Sequence, residues 1–214
     1  MPRGRAPGYD AQREDILAHA AALFARQGYP GTSMNEVARA CGMSKAALYH
    51  YVRDKYRLLV EIAEDHVTHL VALVEEIEAE GLAPAARLRR LIERFVREYA
   101  SAQNAHRVLT EDVRFLDEPD RERVLAAERR VIGAFAAAIA ALRPDLQAAQ
   151  LDKPLTMLLF GMINWMFTWM RPDGTLTHEA MAPVVADLFF GGLPAVRPAP
   201  AAARRRPRRL AVSA

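Results

Sequence analysis

The residues best suited to chemistry in this chain lie between Thr32 and Lys55, and their groups suit contact with DNA. Lys45 can donate hydrogen bonds to guanine O6 or N7, and Ala46 is small enough to meet a thymine methyl group. Hydroxyl, phenol and imidazole groups nearby can bind phosphate oxygens, as can the free backbone N–H groups at the amino end of a helix. We therefore predict DNA contacts from Thr32, Ser33, Ser44, Lys45, Ala46, Tyr49, His50 and Lys55.

Two short helices joined by a tight turn are predicted to position these side chains. Ser33 precedes the first helix and Glu36 stands three residues later, which is the spacing of a capping box. Gly42 can adopt the left-handed conformation that ends a helix, and Ser44 can cap the second helix, residues 44–51. Because apolar residues recur at helical spacing in both segments, the pattern indicates a helix-turn-helix whose second helix enters the major groove.

Residues 16–59 resemble the tetracycline-repressor (TetR) family of bacterial regulators; they read ILAHAAALFARQGYPGTSMNEVARACGMSKAALYHYVRDKYRLL. The resemblance implies an all-α homodimer of nine-helix subunits, with an amino-terminal helix-turn-helix domain and a carboxy-terminal ligand-binding and dimerisation domain. It also implies binding to a DNA operator that ends when a small molecule arrives, with Lys55 contacting the DNA backbone. The positions that fall in register are Phe24, Gly28, Thr32, Ala38, Gly42, Ser44, Leu48, Tyr49, Tyr51 and Lys55.

Proline, glycine and charge set the predicted domain boundaries, and no β-strand pattern interrupts the helical periodicity. A long fourth helix, capped by Asp54 and ending near Gly81, is predicted to link the two domains. Its tilt would change the distance between the two heads of a dimer. The predicted segments are a disordered arm (1–9), a helix-turn-helix domain (10–58), a ligand-binding and dimerisation domain (59–193) and a disordered tail rich in Arg, Pro and Ala (194–214).

Charge is distributed unevenly along the chain. Residues 1–58 hold 9 Lys/Arg against 5 Asp/Glu, whereas residues 59–193 hold 14 against 21. A basic first domain followed by an acidic second domain is typical of a protein in which only the first domain binds the phosphates of a nucleic acid. The single cysteine excludes a disulfide framework, and no targeting segment is recognisable. We therefore expect a cytoplasmic protein.

Residues 154–170, the predicted eighth helix, are apolar nearly all round, which predicts burial on more than one side. The run is too short for a membrane span and contains Asn164, whose amide needs a hydrogen-bond partner. We expect one side of this helix to face a ligand cavity and the other to face a second subunit. The eighth helix and the ninth, residues 177–190, form the dimer interface in the family that the chain resembles.

The acidic domain has no Gly-rich phosphate loop, nucleophile elbow or HExxH sequence, and we predict neither catalysis nor a cofactor. His66 and His69 are three residues apart, but a metal site needs further ligands, and no metal is predicted. Side chains at helical spacing are candidates for the walls of a ligand cavity. They are Phe95, Tyr99, Phe115, Met157, Phe160, Asn164 and Trp165.

The segments NWMFTWMRPDG and DLFFGGL resemble a branch of the family that controls fatty-acid and phenylacetate degradation and responds to acyl-coenzyme A thioesters. That resemblance implies an acyl group among the aromatic side chains and coenzyme phosphates near Arg107, with Arg114, Arg129 and Arg130 as further candidates.

Three other functions remain open. The chain could be a multidrug sensor that represses an efflux gene, a small helical enzyme, or an architectural protein that bends DNA.

Overall fold

The computed structural model describes residues 8–170 and 174–198, apart from the side chain of Phe167. These residues form ten α-helices and no β-strand, which confirms the all-α prediction. The helices are α1 (Tyr9–Gln27), α2 (Met34–Ala40), α3 (Lys45–Leu48), α4 (Lys55–Ala79), α5 (Pro84–Ser101), α6 (Gln103–Glu111), α7 (Glu118–Leu142), α8 (Pro144–Ala148), α9 (Asp152–Trp169) and α10 (His178–Gly192). Short 3-10 turns follow α6 and α10, at Val113–Phe115 and Leu193–Ala195.

The helix beyond the nine that were predicted is α8, which has only five residues. It begins at Pro144, directly after the end of α7, because proline is tolerated in the first turn of a helix although it ends the preceding one. The predicted eighth and ninth helices therefore correspond to α9 and α10.

Local hydrogen bonds explain why α2 begins and ends where it does. The Ser33 hydroxyl accepts from the Glu36 N–H at 3.3 Å, and the Glu36 carboxylate accepts from the Ser33 N–H at 2.8 Å. This is the predicted capping box. Gly42 has φ +64°, and the N–H of the next residue, Met43, donates to the Ala38 carbonyl at 3.0 Å. The helix thus ends in the left-handed glycine motif that the sequence indicated.

Helix α3 is shorter than predicted. The Ser44 hydroxyl caps it by accepting from the Ala47 N–H at 3.1 Å, as expected. After Leu48, however, the N–H groups of His50 and Tyr51 donate three residues back rather than four. This bonding tightens the last turn, so residues 49–51 continue the surface of α3 outside regular α-helical geometry.

Residues 10–58, here called the head, pack around one small core. Ile16, Val37 and Leu48 have no exposed surface, and each comes from a different helix. Tyr9 already belongs to α1, and its ring stacks on that of Tyr51 at 4.9 Å. Helix α1 therefore begins one residue earlier than the predicted start at residue 10. Residues 1–7 of the predicted arm and 199–214 of the predicted tail lie outside the described residues.

Residues 59–193, here called the body, are organised by α4, which has 25 residues and so extends about 37 Å. One face of α4 supports the head, and the rest packs against α5, α6 and α7. Helix α9 packs on α7, and α10 packs on α5. In the described parts of the chain, no helix is both long enough and apolar enough to cross a bilayer.

An apolar face of α9 and α10 is exposed in the single protomer. Leu158 and Trp165 of α9 are 67% and 66% exposed, and Leu188 of α10 is 64% exposed. Trp169 and Val184 extend the same two helices' exposed apolar surface. Large apolar side chains grouped in this way usually mark an interaction surface. We call Leu158, Trp165, Trp169, Val184 and Leu188 the α9/α10 face.

Candidate DNA-binding surface and ligand cavity

Four predicted DNA contacts lie on the exposed side of α3 and the turn after it. Lys45, Ala46, Tyr49 and His50 all face solvent, and Tyr49 is 45% exposed. The opposite side of α3 is anchored by Leu48, which is fully buried. A four-residue helix held from behind in this way presents its side chains as a fixed set, as a major-groove reader requires.

The other four predicted DNA contacts have intramolecular partners. Thr32 is 2% exposed, and its hydroxyl donates to the Gly28 carbonyl at 3.0 Å. The Lys55 ammonium donates to the carbonyls of Tyr29 at 2.9 Å and Thr32 at 2.8 Å. The hydroxyls of Ser33 and Ser44 cap α2 and α3. In the free protein these side chains therefore hold the loop before α2 and cap the first turns of α2 and α3. Sequence reasoning did not predict this structural role for Thr32 and Lys55.

A cavity of about 180 Å³ lies in the body, between α4, α5, α6, α7 and α9. Four of the predicted ligand residues line it: Tyr99, Met157, Phe160 and Asn164. Phe95 lies behind this wall, fully buried, with its ring 6.1 Å from that of Phe160. The complete lining of this central cavity is Val67, Leu70, Tyr99, His106, Leu109, Thr110, Glu128, Val131, Ile132, Met157, Phe160 and Asn164.

Besides Phe95, three predicted ligand residues do not line the central cavity. Trp165 lies on the α9/α10 face, because adjacent residues of a helix point about 100° apart and Asn164 takes the inward position. Phe115 packs on the Tyr29 ring at 5.6 Å, between head and body. Arg107 is on another side of α6, where its guanidinium pairs with Glu111 at 3.0 Å.

One buried histidine, His106, belongs to the cavity wall, and a second, His66, lies behind it. Sequence reasoning missed His106 as a cavity residue. The Nε2 atom of His66 lies 3.3 Å from Nδ1 of His106. The His106 ring stacks on the Tyr99 ring at 3.7 Å. The helical spacing of His106 and Leu109, three residues apart on the inner side of α6, was the signal that could have found it. Among the described residues, no group of three or more His, Cys, Asp or Glu side chains is arranged to hold a metal ion.

Burial decides the charge state of the cavity. It lowers the pKa of His66 to about 4 and that of His106 to about 3. Both imidazoles are therefore neutral near pH 7. Burial also raises the pKa of the Tyr99 phenol and of the Glu128 carboxyl. The cavity thus disfavours charge and suits a neutral ligand group.

Two family profiles together match most of the chain. Residues 16–62 match the bacterial regulatory proteins, tetR family, and residues 81–193 match the tetracyclin repressor-like, C-terminal domain. The chain belongs to the TetR family. Regulators of this family bind operator DNA, act as dimers and bind effector ligands.

Individual TetR-family proteins resemble the chain over nearly their whole length. A TetR-family regulator from Bordetella parapertussis is 36% identical, with a TM-score of 0.80 over 87% of this chain and 98% of that one. The repressor KstR2 of Rhodococcus jostii is 24% identical over 90% of this chain and 96% of its own. AibR, solved in complex with isovaleryl coenzyme A and operator DNA, is 26% identical, with a TM-score of 0.66 over 83% of this chain and 97% of that one.

The head of this TetR-family chain is joined to the end of α6. The Asp112 carboxylate, directly after α6, accepts from the Tyr29 N–H at 3.2 Å. Asp112 is 4% exposed, and burial raises the pKa of its carboxyl group. Lys55 holds the carbonyl of the same Tyr29 from the first turn of α4. The loop before α2 is therefore fixed by both helices, α4 and α6, that also line the central cavity.

The buried histidine pair predicts how stability depends on pH. An unfolded imidazole titrates near pH 6.5, whereas native His106 titrates at about 3. Between these values the unfolded state binds more protons, so the free energy of unfolding falls as the pH decreases. We expect wild type to lose roughly 2 kcal/mol more than a His106→Gln variant between pH 7.5 and pH 5.

The measurement is urea unfolding of both proteins at several pH values. The raised pKa of Glu128 acts in the opposite direction, but it affects wild type and variant alike. His19→Gln, at a half-exposed site on α1, is the control and should keep the steep dependence on pH. Equal pH dependence in wild type and His106→Gln would contradict the assignment of a buried neutral pair.

Proposed function

We propose that this chain is a dimeric transcriptional repressor that binds a palindromic operator and is released by an acyl-coenzyme A thioester. The observation that carries the proposal is the position of the central cavity. It is lined by α4 and α6, and these two helices hold the loop before α2 through Lys55 and Asp112. A ligand that moves either helix therefore changes the position of the head relative to the body.

The size of the cavity limits which acyl group fits. At about 180 Å³ it is slightly larger than the engineered cavity of about 150 Å³ that binds benzene. A short, branched or single-ring acyl group matches this volume, whereas a long fatty chain does not. The similarity to AibR, whose solved complex contains isovaleryl coenzyme A, supports an acyl group of this size.

The coenzyme portion would leave the cavity past Val131. This residue lines both the central cavity and an outer groove of about 270 Å³ between α4 and α7. Arg130 lies in that groove and pairs with Glu75. Phosphates of the coenzyme could take the place of the Glu75 carboxylate, because Arg binds both groups through the same fork of N–H donors. Of the four predicted cations, Arg130 is therefore the one we assign to the coenzyme, in place of Arg107.

We further propose that the dimer forms through the α9/α10 face. A two-fold axis at this face would bury Leu158, Trp165 and Leu188 against their counterparts and set two α3 helices side by side. Each head offers one short reading helix, so both are needed for tight binding. Their separation of about 34–36 Å would demand a near-palindromic operator.

Release would follow from a shift between two populations of the dimer. One state binds DNA and the other does not. The effector must have the higher affinity for the state that does not bind DNA, because equal affinity for both states would not change their populations. Helices α4 and α6 are the elements that would differ between the two states.

A multidrug sensor of an efflux gene is the second candidate, and one observation favours it. Glu128 lines the cavity, and burial raises the pKa of its carboxyl group. A hydrophobic cation would find a counter-charge there and would favour ionisation of that carboxyl.

The test is fluorescence anisotropy with DNA from upstream of the protein's own gene. Short branched and phenyl acyl-coenzyme A thioesters, their free acids, and hydrophobic cations are added to the preformed complex. We expect one or more of the thioesters to release the DNA and the matching free acids to leave it bound. Release by the cations alone would replace the proposal with the multidrug sensor.

A further inference from the structure

Two buried polar atoms in the central cavity lack hydrogen-bond partners among the described residues. They are Nε2 of His106 and Oδ1 of Asn164, which lie near each other without forming a hydrogen bond of good geometry. The nearby Asn164 amide raises the pKa of His106, against the larger lowering that burial causes. His106 is only 3% exposed, so solvent does not satisfy its ring nitrogen. Both residues line the same cavity, His106 from α6 and Asn164 from α9. An unpaired buried polar atom is costly, and at a functional site it points to a ligand group that completes it.

The neighbouring hydrogen bond determines what kind of group would fit. Nδ1 of His106 faces Nε2 of His66 at 3.3 Å, and one proton lies between them. If His66 donates, His106 carries its proton on Nε2 and becomes a donor toward the cavity, next to the acceptor Oδ1 of Asn164. In the reverse tautomer, Nε2 of His106 is an acceptor and the Asn164 amide can turn its NH₂ inward. A hydroxyl group matches either arrangement because it both donates and accepts, whereas a carbonyl oxygen only accepts.

The rest of the wall favours a compact apolar body around that hydroxyl. Val67, Leu70, Leu109 and Phe160 supply apolar surface, and the Tyr99 ring covers the His106 ring at 3.7 Å. A plain alkyl chain would fill the same space but leave both polar atoms unpaired. The cavity is therefore built for an oxygenated ligand rather than for a saturated chain.

We propose that the group bound in the central cavity is a short or single-ring acyl group with a hydroxyl that bonds to His106 Nε2 and Asn164 Oδ1. This proposal rests on the central cavity being the effector site, as proposed above. It adds a chemical class: hydroxylated acyl groups are preferred over the same groups without the hydroxyl. A site that hydrogen-bonds a hydroxyl discriminates against the analogue that lacks it, because its own polar atoms are then left unpaired.

The test is calorimetric titration of the full-length protein with matched thioester pairs. The pairs are 3-hydroxyisovaleryl- and isovaleryl-coenzyme A, and 4-hydroxyphenylacetyl- and phenylacetyl-coenzyme A. We expect the hydroxylated member of at least one pair to bind about tenfold to a hundredfold more tightly. In Asn164→Leu, which keeps the number and branching of the side-chain heavy atoms, that preference should disappear through weaker binding of the hydroxylated member. Asn104→Leu is the matched control, since it makes the same substitution at an exposed position of α6 outside the cavity lining, and it should keep the preference.

A second pair of probes, phenol and benzene, separates this inference from the proposed effector, because neither carries coenzyme A. The ratio of phenol to benzene affinity should fall about tenfold or more in Asn164→Leu. If the thioesters bind but neither pair shows a preference, the hydroxyl inference is wrong and the proposed function stands. If no thioester binds yet the phenol preference is present and lost in the variant, the subsite is right and the acyl-coenzyme A effector is wrong. An unchanged phenol-to-benzene ratio would overturn the inference.

Discussion

Replacing Lys45 by alanine is expected to weaken operator binding by roughly 2 to 6 kcal/mol in the dimer, because a good base contact contributes about 1 to 3 kcal/mol in each of two heads. Lys45 is exposed on α3, next to Ala46, with the buried Leu48 holding the helix from behind. The measurement is the dissociation constant for operator and for random DNA at the same salt concentration. We expect both the affinity for operator and its preference over random DNA, given by the ratio of the two dissociation constants, to decrease.

Lys153→Ala is the matched control, since it removes the same charge from an exposed position on α9. It should leave both dissociation constants close to those of wild type. If Lys45 only contacts phosphate, its loss would weaken both kinds of DNA equally and lower the salt dependence of binding by about one ion per head. That outcome would contradict a base-reading role for this residue.

A carboxylate at residue 188 is expected to prevent dimer formation. Leu188 is 64% exposed in the protomer, so Leu188→Glu should change the stability of the folded subunit by no more than about 0.5 kcal/mol. In a two-fold interface, however, it would bury two unpaired charges, each costing several kcal/mol. We expect the dimer dissociation constant to rise by roughly a thousandfold or more.

Sedimentation velocity gives the oligomeric state, and anisotropy shows whether operator affinity is lost with it. Ala126→Glu is the control, because it adds the same charge at an exposed position on α7. It should remain a dimer and bind operator normally. A Leu188→Glu protein that still sediments as a dimer would place the interface elsewhere than on the α9/α10 face.

The helices of the head were predictable because the interactions that set their ends are local. Ser33 and Glu36 cap α2 across three residues, Gly42 ends it, and Ser44 caps α3. The sequence pattern contains both partners of each such bond. Hydrogen bonds between residues that are far apart in the sequence could not be predicted from this pattern. Lys55 and Asp112 reach Tyr29 from 26 and 83 residues away.

The cavity was only partly predictable. Helical spacing identifies which side of each helix is buried, but it does not show which helices pack against each other there. Tyr99 and Phe160 were found from their apolar periodicity, and both line the cavity. Phe115 has the same character, yet it packs against the head because the chain turns after Asp112. His106 was overlooked because its low pKa, and hence its neutral state, arises from tertiary burial.

The most direct test of ligand-driven release is a thermodynamic cycle. The effector identified by anisotropy is titrated calorimetrically into the free dimer and into the dimer–operator complex. Release through a population shift predicts at least tenfold weaker effector binding to the complex, and saturating effector should weaken operator binding by the same factor. Equal affinity of the effector for free and operator-bound protein would contradict the proposal that the central cavity controls the head.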